Sequence, residues 1–525
     1  MDEIVKINAP DSSHIQVLLT AAYGQLGDQK AARRALRALD AQIPNLPARA
    51  ADLLGIWFHP EMAEHLLDGL RKAGLEIPEP GASEKAPAAE AAKTETHGNG
   101  SGSGSAHAVS ADSSSSQALA QSLWIAVLPF RSPKGNEELE ALADSLTEDV
   151  TAGMSSFPYL QVVAHSSAMA YKGRTGDVRT LARELGARFV VEGSVRKRGR
   201  ALRVSAELLD AATGAQLWAE SYDRETSDAS AFQIQDDLTD RIVSTVADGH
   251  GVLVRTMAAP LRGRPVEELS ASELGLRSFA YNQQIDPQEH ARLRAGLERA
   301  LEREPTHANG WAMLSLLYTN EYNLRLNPLE RPMERAREAA WRAVNLDQAC
   351  QAGWQQLASC YFFGRDFSAF RPAAERAISL NPRNGNTCAL MAMLMAYSGD
   401  WERGVALLQK LMDLNRHHPG WYYFPSAYDH FRKGEYEASL EVAKKINMPQ
   451  LRSTALATAA TCGMLGRQAE ARAAIDSLRK YNPIFLDLNN VREDYAKWIP
   501  DEELRERLLQ GLQKAGRQFG SVTPE

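Results

Sequence analysis

Two hydrophobic periods divide this chain. Over residues 12–75, and again from about 270 to 516, apolar residues recur every three to four positions, which is the period of an amphipathic helix. Between 123 and 250, runs with a period of two alternate with helical segments, which predicts strands separated by helices. The pattern predicts a multidomain protein: a central α/β domain followed by an all-α solenoid and preceded by a short helical segment.

The central stretch predicts a mixed sheet. Strands alternate with helices at first, and two hairpin turns then follow at Gly199 and Gly214. This order is typical of a sheet that begins parallel and ends as an antiparallel meander. The predicted strands are 124–130, 160–165, 188–197, 201–209 and 216–223, and the predicted helices are 137–156, 177–186 and 230–248.

The C-terminal helical region repeats itself. Glycines recur about every 34 residues between helical stretches, and prolines recur near the ends of the same units. A helix–turn–helix unit of this size cannot bury its apolar face alone, so we expect successive units to stack into a solenoid. The glycines are Gly364, Gly399, Gly434 and Gly466, and the prolines are Pro382, Pro419, Pro449 and Pro483.

Residues 77–122 have a different composition from the rest of the chain. Pro, Ala, Glu and Ser give way to a Gly/Ser run, and such a segment buries too little apolar surface to fold. We predict a disordered linker there. The predicted domains are then a helical segment over 1–76, the α/β domain over 123–250 and the solenoid over 270–525.

Charge and cysteine content narrow the class of protein. A formal net charge of −7 argues against an extended nucleic-acid-binding face, which needs cations to neutralise phosphates. Cys350, Cys360, Cys388 and Cys462 form no C-x-x-C pair, so we expect packed, reduced thiols. No apolar run reaches the roughly 20 residues that span a bilayer, and the first residues do not read as a signal peptide. We expect a cytoplasmic protein without a nucleic-acid or membrane partner.

The helical units resemble the tetratricopeptide repeat (TPR). That pattern has an aromatic residue, a Leu, a small residue and a Tyr on its first helix, then a turn, Ala positions on the second helix and a closing Pro. The residues that carry the resemblance are Trp354, Leu357, Ala358, Tyr361, Ala377 and Pro382, with Trp311, Leu314, Ser315 and Tyr318 in the unit before and Pro483 at the end of the last unit. The resemblance implies a concave groove, lined by first helices, that binds a peptide or protein.

The N-terminal segment resembles the C-terminal end of the same chain. Residues 66–74 (LLDGLRKAG) match residues 508–516 (LLQGLQKAG), and the Gly27 turn aligns with the Gly466 turn. We infer that 12–75 is a terminal repeat plus cap of the same kind as 451–516.

The central domain resembles the TolB-like N-terminal domain. In bacteria this domain often lies between a TPR array and an output domain, which is a class III adenylate/guanylate cyclase or a winged-helix DNA-binding domain. The resemblance therefore implies a regulatory setting. The motifs that carry it are 125–130 (IAVLPF), 143–149 (ADSLTED), 170–173 (AYKG), 191–195 (VEGSV), 208–214 (LLDAATG) and 217–224 (LWAESYDR).

Catalytic constellations are not recognisable in the sequence. The string Phe485-Leu-Asp-Leu488 only partly resembles a cyclase metal motif, and we interpret it as coincidence. A Walker A loop, a G-x-S-x-G elbow and an H-E-x-x-H pair are all missing from the sequence. The acidic groups Asp144/Glu148/Asp149 and Asp236/Asp237/Asp240 are interpreted as solvated helix faces. We expect no catalytic, cofactor-binding or metal-binding residues, and no cofactor.

The aromatic run from Trp421 to Phe424 is the candidate partner-binding site. It falls on a predicted first helix, and Trp and Tyr side chains that become buried in an interface dominate the energies of many interfaces. Trp421, Tyr422 and Phe424 are therefore candidate contacts for a partner. Packing between repeats is the alternative for the same residues, and Tyr423 occupies a core position of the repeat pattern.

Three hypotheses on function follow. The first is a non-catalytic scaffold whose solenoid groove binds a peptide or protein, with the α/β domain as an adaptor. The second is a sensory or scaffolding part of a bacterial adenylate cyclase or transcriptional-regulator system, which acts through a separate output domain. Catalysis by the chain itself, such as cyclase activity, is the third and the least supported.

Overall fold

The computed structural model describes residues 13–42, 47, 50, 60–76, 124–174, 176–225, 231–283, 285–415 and 418–516. The predicted linker over 77–122 lies outside the described residues. The chain divides into two compact units, Met1–Ala108 and Val109–Glu525.

Three helices form the described part of the first unit: α1 (Ser13–Leu26), α2 (Gln29–Gln42) and α3 (Pro60–Lys72). Helix α1 packs on both of the others. It approaches α3 at two glycines, Gly24 and Gly69, where a Cβ on either residue would collide with the backbone of the other helix. Only glycine allows this approach.

The second unit begins with a five-stranded mixed sheet in the order β2-β1-β3-β4-β5, in which β1 pairs parallel with β2 and β3 and the remaining pairs are antiparallel. The strands are β1 (Trp124–Val127), β2 (Gln161–Val162), β3 (Phe189–Arg198), β4 (Ala201–Asp210) and β5 (Ala215–Glu225). The helices are α4 (Glu137–Ser155), α5 (His165–Met169), α6 (Val178–Glu184) and α7 (Ala231–Ala247). Apolar side chains of α4 and α7 share one buried cluster with inward residues of the sheet.

The predicted mixed sheet is confirmed, and each predicted strand and helix of this domain is present. Both hairpins turn at glycines with positive φ, 61° at Gly199 and 76° at Gly214. The sequence pattern missed α5, which has too few residues to show a period. It also placed the end of the first strand at 130, whereas β1 ends at Val127. Beyond that point the Phe130 amide donates to the Thr147 hydroxyl, which interrupts the ladder, and the chain bonds to β3 again at Arg131.

A helical solenoid follows, as predicted. After α8 (Val252–Ala258) come six helix pairs in the described part of the chain, and then two final helices. The pairs are α9 (Ala271–Gln283) with α10 (Pro287–Arg303), α11 (Ala308–Asn323) with α12 (Pro332–Leu346), α13 (Gln351–Phe363) with α14 (Phe367–Leu380), α15 (Gly385–Tyr397) with α16 (Trp401–Leu414), α17 (Phe424–Lys433) with α18 (Tyr436–Lys444), and α19 (Arg452–Leu465) with α20 (Gln468–Tyr481). The final helices are α21 (Leu488–Trp498) and α22 (Glu502–Ala515).

The aromatic positions of the repeats have matching environments. The Trp311 indole donates to the Pro305 carbonyl at 2.8 Å, and the Trp354 indole donates to the Gln348 carbonyl at 3.0 Å. Each indole thereby fixes the loop that enters its own first helix. Further along α13, Leu357 is buried and Tyr361 is half-buried.

Turns between paired helices use left-handed residues. Gly399, Gly434 and Gly466 all have positive φ. Gly364 differs, because it keeps a helical φ of −78° and the left-handed position passes to Arg365, with a φ of 64°. Pro382 and Pro483 lie exposed at the loops that precede α15 and α21.

The α/β domain and the solenoid belong to one compact unit because the loop between α14 and α15 packs against α7. Asp248, just after α7, is buried and accepts hydrogen bonds from the backbone amides of His250 (2.8 Å) and Asn386 (2.9 Å). The carboxylate therefore caps the first turn of α15 from another domain. Burial raises the pKa of Asp248, while the N–H donors oppose the rise.

Ion pairs surround this junction. Arg383 donates to Asp240 at 2.6 Å, and Arg241 donates to the Asp413 carbonyl at 2.5 Å. Asp237 accepts from Arg241 and Arg224. Of the acidic group interpreted from the sequence as a solvated face, Asp240 thus bonds to the solenoid, Asp237 pairs within the α/β domain, and Asp236 is exposed as expected.

Candidate functional site

First helices line the inner side of the solenoid. Each of α9, α11, α13 and α15 packs on the next first helix as well as on its own partner, whereas second helices contact one another much less. First helices are therefore closer together, which places them on the inside of the curve.

A cavity of about 170 Å³ opens on this inner face. It lies between the N-terminal halves of the four first helices and the segment 158–161 of the α/β domain. The polar lining residues are Tyr159, Gln161, Ser272, His307, Asn309, Gln351, Gln355, Gln356, Asn384, Asn386 and Thr387, and the apolar ones include Leu276, Phe279, Met313 and Leu316. Asp, Glu, Lys and Arg are all missing from the lining, which is therefore uncharged.

Amide side chains on α13 form the floor of the cavity. Gln351 is fully engaged, since it donates to the carbonyls of Ala377 and Asn381 at 2.8 Å and accepts from Asn384 at 2.9 Å. Gln355 accepts from the Thr387 hydroxyl at 2.5 Å. These bonds fix the orientation of the floor and leave few polar atoms free for a ligand.

Gln356 is the exception. Its side chain is only 3% exposed, and its Oε1 has no hydrogen-bond partner. A buried, unpaired amide oxygen costs about 1–3 kcal/mol relative to a paired one. The oxygen is covered in this arrangement, so the side chain must turn toward the cavity before an N–H or O–H donor there recovers that energy.

Ser272 offers a second polar group at the mouth of the cavity. His307 accepts from the Gly310 amide through Nδ1, so its Nε2 carries the proton and donates to the Ser272 hydroxyl at 2.8 Å. Because the Ser272 oxygen is the acceptor in that bond, its own proton is available to a ligand. His307 thus orients the Ser272 hydroxyl as a donor.

The α/β domain supplies one wall. Tyr159 packs edge-on against Phe279 with ring centroids 5.2 Å apart, and its hydroxyl donates to the Ala247 carbonyl. Burial raises the pKa of Tyr159 well above its usual value, so the phenol stays protonated. This wall is uncharged.

The opposite end of the inner face is filled by the chain itself. Helix α21 crosses the C-terminal ends of α11 and α13, where Lys497 donates to the Tyr322 carbonyl at 2.7 Å and Trp498 packs edge-on against Phe363 at 5.0 Å. Arg452 forms a bidentate pair with Asp494, at 2.6 and 3.0 Å. Among the residues that the structure describes, none fills the end next to the α/β domain.

The aromatic run does not lie where the sequence placed it. Gly420–Tyr423 forms a 3₁₀ turn, and α17 begins at Phe424. Pro425 then lies in the first turn of α17, where its missing N–H leaves no helical hydrogen bond unmade. Tyr422 and Phe424 are 3% and 6% exposed, which favours the alternative of core packing for both. Trp421 is half-buried and packs on Tyr422 with ring centroids 4.5 Å apart.

The remaining candidates for chemistry have structural roles. Asp487 caps α21 by accepting from the Asn489 amide at 2.9 Å, and Asp144 pairs with Lys172. Among the residues described, no group of three or more His, Cys, Asp or Glu side chains is placed to hold a metal ion. Within the same ranges, the helices are too short or too polar to cross a bilayer.

All four thiols are free and buried. Burial raises the pKa to about 11 for Cys350 and Cys462, and to about 12 for Cys360 and Cys388. Such thiols stay protonated at neutral pH and are poor nucleophiles.

Residues 120–241 match the family model described as HilA/YgeH-like transcriptional regulator, second domain. This stretch runs from β1 to α7. The model named here is not the TolB-like one that the sequence motifs suggested, so that resemblance stays a prediction.

A bacterial protein is similar over part of the chain. It is named "Putative adenylate cyclase 3", from Rhizobium meliloti (strain 1021), and is 36% identical over 203 residues. The match covers 38% of this chain and 34% of the relative. The chain therefore spans only about a third of the relative by alignment.

A solved structure, the APC/C hetero-tetramer Cut9-Hcn1, aligns with a TM-score of 0.32 and 13% identity. The alignment covers 54% of this chain and 59% of that one.

Proposed function

We propose that this chain is a non-catalytic scaffold that holds an uncharged stretch of a peptide or protein partner in the open end of its solenoid groove. The main observation behind this proposal is that the buried amide oxygen of Gln356, at the floor of an uncharged cavity, has no hydrogen-bond partner. A peptide N–H is the donor that such a group lacks. The TPR pattern of the repeats supports the same function, since arrays of this kind present concave surfaces to partners.

The size of the cavity limits the ligand. Its volume of about 170 Å³ is below the range of about 300–1,000 Å³ that is usual for small-molecule pockets. One apolar side chain and the adjoining peptide group fit this space better than a nucleotide, whose phosphates would meet no cation in the lining. The α/β domain, TolB-like by its motifs, acts in this proposal as a fixed adaptor wall.

Photo-crosslinking in the source cell tests the proposal. A benzophenone amino acid in place of Leu316, in the cavity, should give adducts with a discrete partner. The same amino acid in place of Leu346, which is 43% exposed on second helix α12, should not. Adding Gln356→Met to the Leu316 probe should weaken the adduct, whereas Gln409→Met on the outer helix α16 should leave it unchanged. Equal labelling by the Leu316 probe, the Leu346 probe and the two double variants would refute binding in the cavity.

A second candidate function is regulation of a nucleotide cyclase or a transcriptional regulator. The cyclase name of the relative and the regulator name of the matched family support it. Cyclic AMP formed from ATP by the purified relative should then change when this chain is added in excess. An unchanged rate at saturating chain would count against this candidate and would leave the scaffold proposal standing.

A further inference from the structure

Gln356 lies at the floor of the cavity without a hydrogen bond that holds its side chain in place. The amide oxygen is buried and unpaired, and the amide nitrogen likewise has no hydrogen-bond partner among the residues that the structure describes. Gln351 differs, because both ends of its carboxamide are bonded. Gln356 is therefore free to turn toward the cavity, where it offers two complementary ends, an N–H donor and a carbonyl acceptor.

The two ends of this carboxamide select the kind of group that pairs with it. In a trans peptide group the N–H and the C=O point in opposite directions, so one main-chain peptide satisfies only one end of Gln356. A primary carboxamide carries an N–H and its oxygen side by side, and two such groups pair through two hydrogen bonds in a ring. The side chain of an asparagine or a glutamine is thus a closer match than a peptide backbone.

Further donors line the same cavity. The Gln355 oxygen accepts from the Thr387 hydroxyl at 2.5 Å, and the Gln355 nitrogen has no partner among the described residues. The Asn386 oxygen lies 2.9 Å from Nε2 of His250, and the Asn386 nitrogen is unpaired within the same ranges. Both nitrogens can donate to the second lone pair of a ligand oxygen.

Charged side chains match this lining less well. A carboxylate accepts from the free nitrogens, but it cannot donate to the Gln356 oxygen, and its charge would be buried where the lining holds no cation. An ammonium or guanidinium group would meet no carboxylate in the lining. The donors and the acceptor of this cavity therefore favour a neutral group that can both donate and accept.

Apolar side chains complete the lining beside the amides. Helix α9 contributes Leu276 and Phe279, and α11 contributes Met313 and Leu316. A glutamine has two methylene groups to cover such a surface, whereas an asparagine has one, so glutamine buries more apolar area there.

We propose that the cavity recognises a glutamine side chain of the partner. Its carboxamide pairs with that of Gln356, and its methylene groups lie against the apolar side chains of α9 and α11. This inference rests on the proposed function, because it names the residue that the groove selects in a bound peptide.

Selection from a library of random dodecapeptides displayed on phage tests this specificity. Peptides that bind an immobilised Gly275→Leu chain are removed first, and the rest are selected on the natural full chain. Gly275 lines the cavity and a Cβ there meets open space, so a leucine fills the cavity without displacing backbone. The recovered peptides should share one glutamine among uncharged residues. They should also bind the control Gly263→Leu, where a Cβ meets open space outside the lining.

Fluorescence anisotropy of one recovered peptide measures the contribution of its glutamine. Replacing that glutamine by methionine or by glutamate, which have a similar size, should weaken binding on the order of tenfold, the equivalent of two neutral hydrogen bonds. A Gln356→Met chain should bind the glutamine and methionine peptides alike, whereas Gln409→Met should keep the preference.

The outcomes separate this inference from the proposed function. Recovered peptides without a common glutamine, or a methionine peptide that binds the natural chain as tightly as the glutamine peptide, overturn the glutamine specificity and leave the groove function standing. A selection that yields no peptide, or only peptides that bind Gly275→Leu equally well, removes the cavity as a binding site, and the proposed function fails with it.

Discussion

The two ends of the solenoid's inner face are completed in opposite ways. At one end, α21 fills the groove with charged and aromatic contacts, among them the buried Arg452–Asp494 pair. At the other end the lining is uncharged, and the Gln356 oxygen has no partner. The filled end shows how this scaffold holds a helix of its own. The open end has the opposite chemistry, so its occupant is expected to differ in kind from α21.

The largest effect on stability is expected from Arg452→Ala at the filled end. The substitution leaves Asp494, whose side chain is 4% exposed, as an unpaired buried charge, which costs about 3–5 kcal/mol. The urea midpoint of the full chain should fall markedly. The matched control is Arg492→Ala on α21, the helix that carries Asp494, since the Arg492–Glu506 pair is about half exposed and such pairs contribute little. Equal losses for the two variants would mean that α21 is not held by the buried pair.

The second largest effect is expected at the junction between the α/β domain and α15, which borders the open end. Asp248→Ala removes the acceptor for the amides at the start of α15, and each amide left unsatisfied costs about 1–3 kcal/mol. Hydrogen exchange of the Asn386 amide should accelerate. Asp248→Asn keeps an acceptor oxygen and should lose much less. If both variants exchange at the natural rate, the cap does not fix the junction.

The third prediction separates binding from folding. Gln356→Met removes an unpaired buried amide, so the free energy of unfolding should stay within about 1 kcal/mol of the natural value. Partner adducts at the cavity should nevertheless decrease. A large loss of stability would show that Gln356 serves the fold and not a ligand.

The smallest effect is expected on the pH dependence of stability, through His290 on α10. His290 is buried, its Nε2 lies 3.0 Å from the Leu317 carbonyl, and burial lowers its pKa. A histidine with a lowered pKa in the folded state contributes stability above its unfolded pKa of about 6.5, and that stability is lost as the pH falls below this value. His290→Gln should flatten the decline of the melting temperature below pH 6.5. An unchanged slope would assign the decline to other groups.

The architecture was largely predictable because it depends on local signals. The turn glycines Gly199 and Gly214 define the β3–β4–β5 meander, and the repeat period defines the helix pairs. The site was not predictable in this way. Whether Gln356 is paired depends on groups from other helices, and nothing in the residues of α21 indicates that it folds back across α11. The exposure of the aromatic run was not predictable for a related reason, since an apolar string reads alike whether it is exposed or buried.

The contacts of α21 and of the loop before α15 also change how the solenoid is expected to unfold. An ordinary repeat array can fray, because each repeat touches only its neighbours and an end can melt alone. Here α21 is fastened to the ends of α11 and α13, and the loop before α15 is fastened to the α/β domain. Loss of the last repeats therefore also exposes earlier ones. We expect the second unit to melt in one concerted transition, and not as a ladder of partly folded arrays.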